Sequence, residues 1–385
     1  MIKILHFITD TNIGGAGNLL YQQIKGINYK NFHITVALPK DSALIKKLSP
    51  LPCQIITLNH GANRSFSFES IIENYKTIEK VHPDIVHSHG SLSSRIAAGI
   101  FKIPCRVFTR HCAPPIPKYM KNPLSKWTFG KINDVLSTSI IAVSPYTKKY
   151  LIELGCDENK IKTIMNGCAP LRYLSDDEKE FLRTKYGLTK ENFVISYFAR
   201  LEEIKGHKTL LQAAKICKNK HPNLRLFIVG IGSYEEILKK YATEIGINDI
   251  VHFVGFCDDV APIFNITDVN VNCSYISETA SLSLSEGMSI GIPSIVSNTC
   301  GNPYMVKSEE NGLLFPTQNA NALANAIIRL YKDKNLYQKC SLGAYKRYRE
   351  ELNDKIMCKE MTRFYFMEIE KSKYRKKLNP LYSNR

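Results

Sequence analysis

Residues 269–297, VNVNCSYISETASLSLSEGMSIGIPSIVS, decide the reading of the fold. The stretch opens on a β-branched run, VNVNCSYI, continues through a helix-like segment, LSLSEGMSIG, and closes on a second strand-like run, GIPSIV. A strand, a helix and a strand in so short a span make a parallel crossover unit. Within 277–288 the only charges are two carboxylates, Glu278 and Glu286, with seven residues between them. The pattern puts Glu278 in the strand-to-helix loop and Glu286 about two turns into the helix. Open α/β sheets bind ligands beyond the carboxyl ends of their strands, so this loop is where chemistry is expected. An ionised carboxylate accepts two hydroxyl protons at once, which suits the vicinal diol of a ribose or a hexose. The plain alternative is one glutamate favoured by a helix dipole and one ordinary helical glutamate.

Outward from this unit the same alternation repeats. KILHFIT, FHITVAL, DIVHSH, CRVFT and IIAVS precede it in one series, and VISYFAR, LRLFIVG, IVHFVG, VNVNC and PSIVS form a second. Helical segments such as IIENYKTIEKVH and YEEILKKYATEIG separate the strands, which predicts βαβ units and parallel sheets. The connector CAPLRYLSDDEKEFLRTKYGLTKEN lies between the two series. The expected organisation is therefore two doubly wound, Rossmann-like α/β domains facing across a cleft, residues 1–170 and 171–370, with a basic tail over 371–385. A chain of 385 residues has the length for two cores. After PSIVS only helices are expected.

Composition limits the function classes. The eleven cysteines are odd in number, scattered and without a CxxC spacing, which argues against a disulfide framework or a zinc cluster. No run approaches the eighteen apolar residues of a membrane span, and MIKILHFITD meets Asp10 too early for a signal-peptide core, so a cytoplasmic protein is expected. The formal charge of +17 is unevenly spread. Residues 1–170 hold 21 Lys and Arg against 10 Asp and Glu, residues 171–354 hold 22 of each, and the last 31 hold 9 against 3. A basic first half and tail suit a solvated surface or attraction to an anionic membrane, and no base-reading motif calls for a nucleic-acid partner.

Two loops carry phosphate-type signals. Gly14, Gly15 and Gly17 follow the first strand and enter a helix, where backbone amides can approach a phosphate. In YFARLEEIKGHKTLL, Arg200 ends a strand and Lys205 stands beside Gly206 as a helix begins. A planar fork and a compact ammonium together can neutralise a diphosphate. No Asp-x-Asp pair occurs, so no metal is expected to bridge it.

These residues resemble the retaining glycosyltransferases of the GT-B fold known as family 4, or glycosyltransferase group 1. The signature Glu, seven residues, Glu is matched by Glu278 and Glu286. GGAG, DIVHSHG, TRHCA, IIAVSPYTKKYL, IKTIMNG, ARLEEIKG, FIVGIGS, VHFVGF and GIPSIVS stand in the family's order over nearly the whole chain. The resemblance implies transfer of a sugar from a nucleoside-diphosphate donor to a hydroxyl acceptor with retention, without metal or cofactor. It implies that Glu286 binds the ribose, that Glu278 contacts the donor sugar with the amides around Ser281 and Leu282, and that Arg200 and Lys205 hold the diphosphate. His111 is implied near the reaction centre, Gly14 and Gly15 near the phosphates or acceptor, and His87 and His89 mainly in a structural role. The setting implied is assembly of a bacterial surface polysaccharide or glycolipid on the inner face of the plasma membrane.

The chain departs from the family at two places. Thr279, Ala280 and Ser281 replace the usual Gly, bulky apolar residue and Pro after the first glutamate. CGNPYMV replaces a Gly-Gly-x-x-Glu segment, with Cys300 for a glycine and Tyr304 for the acid. Directly after His111, PPIPKYMKNPLSKWTFGKINDVL mixes Lys118, Lys121, Lys126 and Lys131 with Tyr119, Trp127 and Phe129. Such a mixture suits a lipid headgroup region presenting a lipid-linked saccharide acceptor, or else a surface helix with one aromatic packed inward. Two other readings stay open: a sugar-nucleotide 2-epimerase of the same architecture, and a non-enzymatic scaffold that binds sugar nucleotides.

Overall fold

The computed structural model describes residues 1–378. Its strands are β1 (Ile2–Ile8), β2 (Phe32–Pro39), β3 (Gln54–Leu58), β4 (Ile85–His89), β5 (Cys105–Arg110), β6 (Ser139–Ala142) and β7 (Ile161–Thr163), then β8 (Phe193–Phe198), β9 (Leu224–Val229), β10 (Val251–Gly255), β11 (Val269–Asn272), β12 (Ser294–Ser297) and β13 (Gly312–Phe315). All pair in parallel, in two sheets ordered β3-β2-β1-β4-β5-β6-β7 and β10-β9-β8-β11-β12-β13. Strands covered on both faces read as near-continuous apolar runs, and β1 and β8 do so.

Two compact units result. Among the described residues, one comprises 1–167 together with 354–378, the other 168–353. The second domain therefore ends at Asn353 and not at residue 370. From Asp354 the chain forms a helix, Asp354–Leu378, whose Met357, Cys358, Met361, Phe364 and Tyr365 are buried in the first unit's core with Leu20, Ile24, Phe32 and Ile34. It packs against the Gly15–Gly26 helix so closely that a Cβ on Gly26 would lie 2.5 Å from Cys358 Sγ. The burial of these five side chains is the physical reason for the return. Residues 371–378 of the expected tail belong to this helix, and the remainder of the tail lies outside the described residues.

The expectation of helices alone after β12 is also corrected, because β13 adds a strand in register with β12, Ser294 opposite Gly312 through Ser297 opposite Phe315. Its four residues, GLLF, contain no β-branched side chain and open on a glycine, so Phe315 alone carries a strand preference. Among the described residues no helix is long and apolar enough to cross a membrane.

Candidate functional site

In the second unit the site is built at the ends of β8 and β11. Beyond β8 the chain reaches a short 3-10 turn, Glu203–Lys205, then Gly206 in the left-handed region at φ 69°, then the His207–Lys220 helix. Gly206 is required here, since a Cβ would meet the Cys273 carbonyl oxygen at 2.3 Å. This close approach brings Lys205 against the loop that follows β11.

Glu278 lies in that loop, as the spacing predicted. Lys205 Nζ is 2.9 Å from Glu278 Oε2, and both side chains are largely withdrawn from solvent, 16 % and 12 % exposed. Ser274 donates its hydroxyl to the same oxygen at 2.9 Å, and Asn272 its amide at 3.4 Å. Burial works against the charged carboxylate, but Lys205 and these hydrogen bonds outweigh it and hold Glu278 below the ordinary carboxylate range. The support continues one layer further. Tyr197 donates its hydroxyl to the Lys205 carbonyl at 2.8 Å and lies 3.1 Å from Ser274 Oγ, and Ser297 donates to the Ser274 carbonyl.

The backbone of the Glu278 loop is fixed from the departure segment. Gly301 N donates to the Glu278 carbonyl at 2.8 Å, and a Cβ on Gly301 would stand 1.8 Å from the Thr279 carbonyl oxygen. Ser277 takes φ 61° beside it. Cys300 and Tyr304 thus flank a glycine that shapes the carboxylate's loop, and the Tyr304 carbonyl accepts from Arg347 at 2.9 Å.

The Leu282–Ser289 helix follows, with Ser281 as its extended N-cap residue and Leu282 as its first helical residue. Glu286 is the fifth residue of this helix, just past its first turn and not two turns in, because the helix begins only at Leu282. Arg200 is 69 % exposed and pairs with Glu202.

In the first unit, Gly14 is the extended N-cap residue of the Gly15–Gly26 helix, and a Cβ on Gly14 or Gly15 would meet nothing within 4 Å. His111 stands just beyond β5 and is joined to a histidine cluster. Its Nε2 is 2.9 Å from His89 Nδ1, and His89 Nε2 is 3.1 Å from His6 Nδ1. In β1 and β4, His6 stands opposite His87, and the two-residue period of the strands puts His6, His87 and His89 on one face. His87 bonds Tyr365 and Thr109, each at 2.6 Å. Burial, reinforced by the neighbouring imidazoles, holds His87 and His89 neutral, and burial pushes His6 down to about 3. His111 falls to about 4 through burial and the Arg110 charge.

The ring nitrogens of His6, His87 and His89 lie close enough together to suggest a cation site. Both nitrogens of His87 and both of His89 already serve hydrogen bonds, so the trio does not present a ligand set. Sequence reasoning missed Asn272, Ser274, Tyr197 and Gly301. A usable signal was present for the first three, since each is a polar residue at, or within two residues of, the carboxyl end of a buried strand.

The two sheets and the strand-end site define an α/β protein of the GT-B class. Residues 178–347 match the family model for glycosyl transferases group 1, and residues 13–170 match the one for glycosyltransferase family 4. EpsD of Bacillus subtilis, named as a glycosyltransferase, is 31 % identical over 278 residues, covering 69 % of this chain and 71 % of its own. A galactosyltransferase of Escherichia coli, named for transfer from UDP-Gal to α-D-GlcNAc-diphosphoundecaprenol, is 29 % identical over 347 residues, 87 % of this chain and 89 % of that one. HepE of Anabaena, solved with UDP and glucose, superposes with a TM-score of 0.81 at 20 % identity over 95 % of this chain and 99 % of its own. The chain belongs to the group 1, family 4 glycosyltransferases.

Proposed function

We propose that this glycosyltransferase moves a sugar from a uridine-diphosphate donor to a hydroxyl of a lipid-linked saccharide, with retention of configuration and without a metal ion. The observation that carries the reading is the Lys205–Glu278 pair beyond β8 and β11, beside the N-terminus of the Leu282–Ser289 helix. Such a site offers a cation for a diphosphate and an ionised carboxylate for sugar hydroxyls. Lys205 and Arg200 neutralise the charge that grows on the diphosphate as the glycosidic bond breaks, which is electrostatic catalysis. Glu278 fixes the donor sugar, Glu286 takes the ribose hydroxyls, and the backbone around Ser281 and Leu282 faces the sugar. Gly14 and Gly15 leave room for phosphate or acceptor. The leaving phosphate accepts the proton of the incoming hydroxyl, so no separate base is required.

The uridine donor is supported by UDP in HepE and by UDP-Gal in the name of the E. coli relative. The acceptor class is supported by that relative's lipid-diphosphate substrate and by the Pro123–Leu136 helix. Asn122 caps this helix, Phe129 packs inward, and Leu124, Trp127 and Val135 are exposed beside Lys131. An exposed apolar stripe with lysines beside it suits an anionic bilayer surface at the inner face of the plasma membrane.

The test is a thermal-shift panel of UDP, GDP, ADP and CMP on the native protein and Glu286→Ala, followed by product analysis with the UDP-sugar series and a lipid-diphosphate GlcNAc acceptor. UDP at about a hundred times its Kd adds roughly 2.7 kcal/mol to the native protein and less to the variant. Stabilisation by a different diphosphate would overturn the uridine donor. Inverted product would overturn retention, and full activity lost in EDTA and restored by a divalent ion would overturn metal independence.

A further inference from the structure

His6, His89 and His111 form a row of imidazoles that runs from the centre of the first sheet to the end of β5. A neutral imidazole carries one proton, so the two contacts of the row allow only two proton arrangements. If His111 donated through Nε2, His89 would have to donate through its own Nε2, and His6 would be left with its proton on Nε2. That atom is fully buried and has no hydrogen-bond partner among the described residues. A buried N–H without an acceptor is the least tolerated of these orphans. In the opposite arrangement His6 donates from Nδ1 to His89, His89 donates from Nδ1 to His111, and the His6 Nε2 left over is a bare lone pair.

We infer that His6 and His89 are positioning residues that lock His111 in the tautomer with its proton on Nδ1, so that His111 meets substrate as a neutral hydrogen-bond donor and not as a base. This deepens the proposed transfer reaction and rests on it for the identity of the substrate. With Nε2 occupied by His89, the other ring nitrogen of His111, Nδ1, carries the proton and can act only as a donor. A hydrogen-bond donor stabilises an oxygen on which negative charge builds, and it cannot remove a proton from a hydroxyl. Both rings of the row beyond His111 are buried in packed contacts, His89 between His87 and His111 at centroid distances of 4.3 and 5.2 Å. Ring flips that would exchange the two nitrogens are thereby opposed.

A second hydrogen-bonded series anchors the row without joining it. Gln23 donates to the Tyr365 hydroxyl at 2.7 Å. Tyr365 then spends its one proton on His87 Nδ1, and His87 Nε2–H is left to reach Thr109 Oγ1. In this arrangement the Tyr365 hydroxyl proton and the single His87 ring proton both have acceptors, so His87 has none to spare for His6, its neighbour in the sheet.

The experiment is two-bond proton–nitrogen correlation NMR on the full chain labelled with 15N-histidine, at pH 7.5 and without substrate. The His111 signal is identified by its loss in His111→Gln. The expected spectrum shows a protonated Nδ1 and a bare Nε2 at His111, and a proton on Nε2 or an imidazolium would overturn the inference. Two variants test the row at a distance. His6→Leu removes the first donor, and His111 should become a mixture of tautomers while kcat falls about tenfold with the donor KM unchanged. His6→Asn keeps an N–H at the Nδ1 position and should restore both. An unchanged tautomer and kcat in a folded His6→Leu would overturn the row; if that variant does not fold, the wild-type and His6→Asn spectra decide. The spectra need no turnover, so a protein inactive with every UDP-sugar would fail the transfer reading and leave the tautomer measured.

Discussion

Lys205 Nζ and Glu278 Oε2 stand 2.9 Å apart, each supplied by a different strand end of the second sheet and each largely removed from water. Removing one partner of such a pair strands the other, and the cost is the desolvation of an uncompensated charge. Lys205→Ala should destabilise the chain by about 2–3 kcal/mol in urea denaturation, more than Glu278→Gln, which keeps an acceptor for Ser274. Both should lower kcat by roughly a hundredfold. Equal stability of the two variants would speak against a compensated buried pair.

Gly206 is a separate lever on the same site, because it holds Lys205 by conformation and not by charge. Gly206→Ala should lose at least about 2 kcal/mol and most activity, from its φ of 69° and from contact with the Cys273 carbonyl. A variant of native stability would show that this backbone approach is dispensable.

The histidine cluster makes stability depend on pH. His6, His87, His89 and His111 are held below the ordinary imidazole value, so the unfolded chain binds protons that the folded one refuses. Their contribution is complete above about pH 6.5 and is lost as pH falls below it, each group adding about 1.4 kcal/mol per pH unit to the slope. Urea midpoints at pH 7.5, 6 and 5 should therefore fall with increasing steepness. A flat profile over that interval would be incompatible with four buried neutral rings.

Asp268 gives the opposite sign. Burial pushes it up to about 6 although the Val194 N–H donates to it at 2.7 Å. Its ionisation costs the folded state as pH rises from about 4 through 6, so Asp268→Asn should raise stability at pH 8 by up to about 3 kcal/mol and change little at pH 4. Thermal melts at the two pH values check both halves of the statement.

Trp127 is 62 % exposed on the Pro123–Leu136 helix. Trp127→Glu should leave the melting temperature unchanged and should halve or abolish sedimentation with anionic vesicles at low salt. Binding equal to wild type would remove this helix from any membrane contact.

Legibility in the sequence followed burial. Interior strands such as β1 and β8 were readable because both faces are covered and their side chains had to be mostly apolar, and β11 was readable from the valines that alternate with its buried asparagines. Three strands went unread, β3, β7 and β13, and all three are sheet edges, short and paired on one side only. Glu278 and Lys205 were legible as loop residues, but their contact depends on Gly206 meeting Cys273, a backbone approach with no periodic signature. The linkage of His111 to His6 was invisible for a related reason: it spans three strands that are neighbours only after the sheet is ordered. The return of residues 354–378 to the first unit was hidden because a helix's apolar face does not say which core it covers.

That return has a consequence for biosynthesis. The second unit is one unbroken segment, 168–353, and can close as soon as its last strand and helices leave the ribosome. The first unit, although begun earlier, lacks Met361, Phe364 and Tyr365 until residues 354–378 have been made, and Leu20, Ile24 and Phe32 wait uncovered in the interval. The order of completion is thus the reverse of the order of synthesis, and a nascent or truncated chain ending before Asp354 carries an open apolar face that chaperones and proteases will read as unfinished.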